Sequence, residues 1–153
     1  MIIWSGGQTG VDRAAWDAAI ACGLAHDGWV PRGRLSEDGA VPARYTCRET
    51  KTAEYPDRTE RNLRDADATL ILSFGKPQGG TLITLRLCRE LSRPHLQIDL
   101  EKDGANGGVQ KAIKFIRKTR PEKLNVAGPR GSFRPDVYER SFRFLTTLFE
   151  GLR

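Results

Sequence analysis

Short apolar runs alternate along this chain with longer stretches in which apolar positions recur every three or four residues. Ile2-Ile3-Trp4 reads as a first strand. Val11, Ala14, Ala15, Ala18, Ala19 and Cys22 then fall at helical spacing on one narrow face of small side chains, suited to close packing on a sheet. Thr9 and Asp12 are spaced like a capping pair at the start of that helix. Gly28–Pro31 predicts a short second strand. Residues 32–56 form a long polar connection with glycines and prolines, holding an extended piece around Cys47–Thr50. Connections of this length inside a compact domain are usually functional or mobile. Beyond it the pattern predicts a helix at Asp57–Asp65, the clearest central strand at Ala68–Phe74 and a helix at Gly80–Leu91. A strand at His95–Leu100, a helix at Gly108–Lys118 and a last strand at Lys123–Ala127 follow. Arg134–Leu152 closes the chain as an amphipathic helix, with Val137, Phe144, Leu145 and Leu148 inward.

This alternation predicts one α/β domain over residues 1–153, a three-layer Rossmann-like open sheet of about five mainly parallel strands. If Ala68–Phe74 lies beside Ile2–Trp4, the strand order is 2-1-3-4-5. A ligand crevice then opens at the carboxyl ends of those two strands.

Two glycine-rich turns flank that crevice. Ser5-Gly6-Gly7-Gln8-Thr9-Gly10 follows the first strand, and Gly75-Lys76-Pro77-Gln78-Gly79-Gly80-Thr81 follows the central one. Glycine lets backbone N–H groups approach a ligand, and the helix that follows adds partial positive charge. Glycines also end strands in sheets that bind nothing, and neither turn completes a dinucleotide or P-loop fingerprint. The pairing is what points to a phosphate or oxyanion pocket. Asp12 already occupies part of the first helix's field; holding Arg13, a ligand hydroxyl or a cation are all open to it. The second turn has no acid nearby and is the better anion cradle. From the polar connection and the helix after it, Arg34, Glu37, Asp38 and Arg58 are placed to close over a ligand, arginine through its planar fork. Glu37 and Asp38 read either as a base or hydroxyl binder, or as plain ion-pair partners.

Composition narrows the class. With 39% apolar and 29% charged residues, the chain is ordinary for a soluble globular protein. No apolar run approaches the roughly 20 residues that span a bilayer, and no signal peptide is visible. Cys22, Cys47 and Cys88 are scattered, with no CxxC pair, and read as reduced small apolar residues. A cytoplasmic protein is expected. The net charge of +6 suits an anionic partner. Part of it lies on the outer face of the helix near 110–123, which reads as a solvated face; no nucleic-acid-binding motif accompanies it. His26 and His95 have no metal-ligand spacing, so no metal site is predicted, and Ser5 lacks the surroundings of a hydrolase nucleophile.

Ser5–Ala15 (Ser-Gly-Gly-Gln-Thr-Gly-Val-Asp-Arg-Ala-Ala), the Gly28–Gly39 stretch, Arg48-Glu49-Thr50, Tyr55 with Arg58, Thr59 and Asn62, and Gly79-Gly80-Thr81 occur in one continuous order. Together they resemble the putative molybdenum carrier family, from the first strand to Thr81; the last third is similar only in general pattern. The resemblance implies a Rossmann-like protein related to the lysine-decarboxylase-like phosphoribohydrolases. It also implies a phosphorylated nucleotide- or pterin-like ligand, with molybdenum cofactor as the candidate, and self-association into a homo-oligomer. On this reading Gly6, Gly7, Thr9 and Gly10, with Asp12, form one wall, and Gly79, Gly80 and Thr81 cradle the phosphate. A carrier needs no nucleophile–base pair, and no catalytic residue is assigned. No cysteine lies in either turn to ligate the metal, so binding is through phosphate and pterin. The alternative is hydrolysis of a nucleotide N-glycosidic bond, as in the phosphoribohydrolases. Their motif, Pro-Gly-Gly-x-Gly-Thr-x-x-Glu, uses its glutamate in catalysis, and Thr84 stands at that position here. Glu37 or Asp38 would have to take its place.

Overall fold

In the computed structural model, which describes residues 1–153 with the side chain of Ala105 excepted, apolar pattern and element agree along most of the chain. β1 (Ile2–Trp4) leads into α1 (Val11–Ala21), and β2 (Ala25–Asp27) returns to the sheet. The long connection holds two small ladders: β3 (Trp29–Val30) pairs with β6 (Arg48–Glu49), and β4 (Leu35–Ser36) with β5 (Gly39–Ala40). Then come α2 (Tyr55–Asp65), β7 (Ala68–Ser73), α3 (Gly79–Glu90), β8 (His95–Asp99) and α4 (Ala105–Thr119). The chain ends with β9 (Lys123–Ala127), a 3-10 turn at Gly131–Phe133 and α5 (Val137–Gly151).

The central sheet has five strands in the order β2-β1-β9-β7-β8, every neighbouring pair parallel. β7 is buried at all six positions, as expected of a strand covered on both faces. One face carries Ile3, Leu70, Leu72, Leu124 and Val126 against α1, α4 and α5. Ala14, Ala15, Ala18 and Ala19 of α1 are fully buried there, and their small size lets α1 pack closely on the sheet. The other face carries Ile71 against Leu63 of α2 and Leu85 and Cys88 of α3. A third cluster, Trp16, Val30, Val41 and Tyr45, seats the long connection on α1. Among the described residues no helix is long and apolar enough to cross a membrane.

The strand order differs from the expected 2-1-3-4-5. β7 does not lie beside β1: β9 stands between them, with Leu124 opposite Ile3 and Ala68. The expectation rested on strands close in sequence being neighbours in space, and the late strand breaks that rule. Taken cyclically from β9, the order becomes 3-2-1-4-5, that of a doubly wound nucleotide-binding sheet. The second strand also moves. Ala25–Asp27, not Gly28–Pro31, pairs with β1, and the chain leaves the sheet at Gly28. Gly28 has φ of +145°, and a Cβ there would run into the Ser5 backbone. The expected Thr9–Asp12 cap is absent too. Gly10 is the N-cap, with no side-chain cap bond, because Thr9 Oγ1 bonds to Glu37 and accepts the Gly131 N–H at 3.0 Å.

Gly28→Ala and Gly23→Ala separate backbone strain from collision. Both positions have positive φ, but nothing lies within 4 Å of a Cβ on Gly23. We expect Gly23→Ala to cost about 1–2 kcal/mol and Gly28→Ala about 4 kcal/mol in urea unfolding. Equal losses would show that the Ser5 contact does not dictate the turn.

Candidate functional site

Because β1, β9 and β7 run parallel, their carboxyl ends reach the same edge of the sheet and three turns meet there. Between them, and between α2 and α3, opens a cleft of about 480 Å³. Ser73, Asn125 and Ala127 of the sheet form its floor. Arg58, Thr59 and Asn62 supply one wall, and Gly79, Gly80, Thr81 and Thr84 the other. Lys76, Arg130 and Phe133 stand at its rim. Asn62 locks α2 in place by exchanging hydrogen bonds with the Trp29 backbone, accepting its N–H at 2.8 Å and donating to its carbonyl at 2.9 Å.

The two glycine turns do different work. At the first, the protein supplies its own anion: Asp12 Oδ2 accepts the Gln8 N–H at 3.1 Å and lies 3.7 Å from Arg58 Nη1, while Arg58 also donates to the Gly6 carbonyl. The Val11 N–H is spent on the Pro129 carbonyl at 3.2 Å. At the second, α3 begins with Gly79 at φ +52°, carries no acid in its first turn, and leaves open space around Gly79 and Gly80. The first N–H groups of a helix have no intrahelical acceptors and form the positive end of its dipole. Lys76 and Arg130 line the same cleft, so its positive side chains and the acid-free start of α3 lie on one pocket.

Of the residues singled out from sequence, Gly6, Asp12, Arg58, Gly79, Gly80 and Thr81 come together on the cleft. Gly7 and Gly10 instead permit close packing. A Cβ on Gly7 would meet Val30 and Trp16 at 2.8 and 2.9 Å, and one on Gly10 the backbone of residues 129–131. Thr9 ties its turn to Gly131 and Glu37. Arg34, Glu37 and Asp38 do not line the cleft, contrary to the expectation that they close over it; their polar groups hold the long connection together. Arg34 donates to the carbonyls of Val41, Pro42 and Tyr45 at 3.0, 2.7 and 3.1 Å. Asp38 pairs with Arg13 at 3.1 Å, and Arg13 in turn donates to the Gly7 carbonyl at 2.8 Å. Glu37 accepts both the N–H and hydroxyl of Ser132, at 3.0 and 2.6 Å, and so holds the turn that carries Arg130.

Sequence reasoning missed that third turn. Gly128-Pro129-Arg130-Gly131 is also a glycine turn between a strand and a helix, but the expected strand order placed it far from the crevice. It also passed over Gln8, Asn125 and Phe133, all of which line the cleft. Among the described residues no group of three or more His, Cys, Asp or Glu is placed to hold a metal ion.

Burial dominates the electrostatics at the cleft's base. It pushes Asp12 from an ordinary 3.8 up to about 6, outweighing the attraction of Arg58 and the Gln8 N–H. Burial also lowers Arg58, against the pull of Asp12. Glu37 goes the other way: burial opposes its charge, but the bonds from Ser132 and Thr9 hold it below the usual range.

Residues 3–149 match the model of a family described as the circularly permutated YpsA SLOG family, a description that suits the strand order taken from β9. A solved structure from Syntrophus aciditrophicus SB, named putative molybdenum carrier protein, is 39% identical to this chain. The likeness covers 97% of this chain and 93% of that one, with a TM-score of 0.93. No curated protein matches the chain.

Asp12 predicts a pH dependence. Its folded value of about 6 lies above the ordinary 3.8, so the folded state holds the proton more tightly than the unfolded chain. Its contribution is therefore present in full below about pH 4 and lost as pH rises to about 6, a change of about 3 kcal/mol. Subtracting the urea-derived stability curve of Asp12→Asn from that of wild type should leave this falling step. A flat difference between pH 4 and 7 would show that Asp12 ionises normally.

Proposed function

This chain belongs to the circularly permutated YpsA SLOG family, and from that premise we propose that it binds a phosphorylated nucleotide- or pterin-like ligand, with molybdenum cofactor the named candidate. The observation that carries this is the acid-free start of α3, facing a cleft that Lys76 and Arg130 also line. Such an end takes a phosphate through backbone N–H groups, the helix dipole and two cations. The volume, about 480 Å³, falls in the range of small-molecule and cofactor sites. The 39% identical protein is named putative molybdenum carrier protein, and a pterin ester with a terminal phosphate suits this donor set.

Binding and release are better supported than turnover. Thr84, at the position of the phosphoribohydrolase glutamate, spends its hydroxyl on the Gly80 carbonyl at 3.0 Å. Glu37 and Asp38, the proposed substitutes, are held by Ser132 and Arg13 outside the cleft lining. Asp12 is the one carboxylate among the described cleft residues, and Arg58 and Gln8 engage it.

Thermal melting of wild type and Gly80→Arg tests the reading against AMP, GMP, molybdate and anaerobic molybdenum cofactor. A ligand at about 100 times its Kd adds about 2.7 kcal/mol, which raises the midpoint by about 5–10 °C at this chain length. Nothing lies within 4 Å of a Cβ on Gly80, so the variant should melt like wild type without ligand and lose the shift with it. A variant that binds as well as wild type would refute the placement at α3. Free base released from AMP or GMP would instead favour the hydrolase.

A further inference from the structure

Two side-chain amides on the cleft are only half satisfied. Gln8, 5% exposed, accepts the N–H of Thr9 at 3.1 Å and of Glu37 at 2.8 Å through Oε1. These bonds fix which end of its amide is oxygen, and they leave Nε2 without a partner among the described residues. Asn125, 2% exposed, sits in the middle of β9, paired with Trp4 on one side and Thr69 on the other. Its Nδ2 donates to Thr69 Oγ1 at 3.5 Å, a long contact, and its Oδ1 has no partner among the described residues. Buried polar groups in folded proteins are nearly all paired, so an unmet donor and an unmet acceptor on one cleft need an account. A second oddity lies at the rim: Phe133 is 42% exposed although it lines the same cleft.

We infer that Gln8, Asn125 and Phe133 select a flat nitrogen heterocycle, and so determine which phosphate esters the cleft accepts. This rests on the phosphate site at α3 proposed above. Asn125 Oδ1 takes a hydrogen from a ring N–H or exocyclic amine. Gln8 Nε2 gives one to a ring nitrogen or exocyclic oxygen. The open face of Phe133 receives the ring by stacking. Purines and pterins carry both kinds of polar group on one flat system, whereas a sugar phosphate offers hydroxyls and no flat face. A site with buried polar groups of its own discriminates strongly, because a ligand that fails to meet them leaves them unpaired. Sequence alone could not show this, since an Asn inside a strand and a Gln inside a turn look like ordinary polar positions until their partners are known.

Isothermal titration of four probes decides the matter: GMP, 6-hydroxymethylpterin phosphate, ribose 5-phosphate and inorganic phosphate. At least one heterocyclic ester should bind wild type about 10-fold or more tightly than ribose 5-phosphate. Asn125→Leu and Gln8→Met should each remove most of that preference and change ribose 5-phosphate binding less than about 2-fold. Phe133→Ala, at a ring 42% exposed, should weaken only the heterocyclic esters. Without ligand, Asn125→Leu should melt no lower than wild type; a clear drop would mean the fold needs that amide and would count against the inference. If the esters bind no better than ribose 5-phosphate, or the variants keep the preference, heterocycle selection is overturned while the phosphate site stands. If none of the four binds, the phosphate site falls and the inference with it.

Discussion

β9 hydrogen-bonds to β1 on one side and to β7 on the other, and the cleft follows from that insertion. A parallel ladder fixes the height at which neighbouring strands end. Putting the last strand between the first and the central one therefore raises three turns together at one edge. It also sets the floor: Leu124 and Val126 point into the apolar core, so Asn125 between them must face the opposite side, beneath the space separating α2 from α3. With β1 and β7 adjacent, the two glycine turns would meet without Arg130, Phe133 or that floor.

Charge in this molecule divides into groups that build and groups that remain available. Arg13, Arg34 and Arg58 are all committed to backbone carbonyls, and Arg13 and Arg58 also to carboxylates. The Arg58–Asp12 pair is deeply placed, each side chain about 10% exposed, and burial works against both partners. Its role is to hold α2 against the first turn more than to add stability. Arg143 and Glu139, by contrast, are mostly exposed on α5 and contribute little to either. Set against these committed ions, the start of α3 is notable for having no carboxylate of its own in its first turn.

Periodicity made most of the fold legible, and it did so where burial dictates residue choice. The alanine face of α1, the unbroken apolar run of β7 and the amphipathic faces of α4 and α5 each identified their element to within a few residues. Strand order was not legible, because periodicity reports which residues are buried and not which strand buries them. The site divided along the same line. Gly79, Gly80 and Thr81 could be found from local turn chemistry, and Arg58 from its fork chemistry and the Tyr55, Arg58, Thr59 and Asn62 stretch of the resembling family. Arg34, Glu37 and Asp38 could not be told from ligand-binding groups, since an arginine on three carbonyls and one awaiting a phosphate have the same sequence signature. Asn125 and Gln8 were invisible for the opposite reason: their interest lies in partners they lack.

The place of β9 also bears on how the chain reaches this state. Ile2 pairs with Lys123, so the innermost ladder joins residues from nearly opposite ends of the sequence. During synthesis β1, α1 and β2 emerge long before the strand that links them to β7 and β8. Until then the two halves of the sheet have no shared hydrogen bonds, and the unpaired N–H and C=O edges of β1 and β7 stand open to other chains. Closure of so distant a pair carries a larger loop-entropy cost than the local contacts within either half. The same strand that completes the cleft thus also closes the longest loop in the sheet.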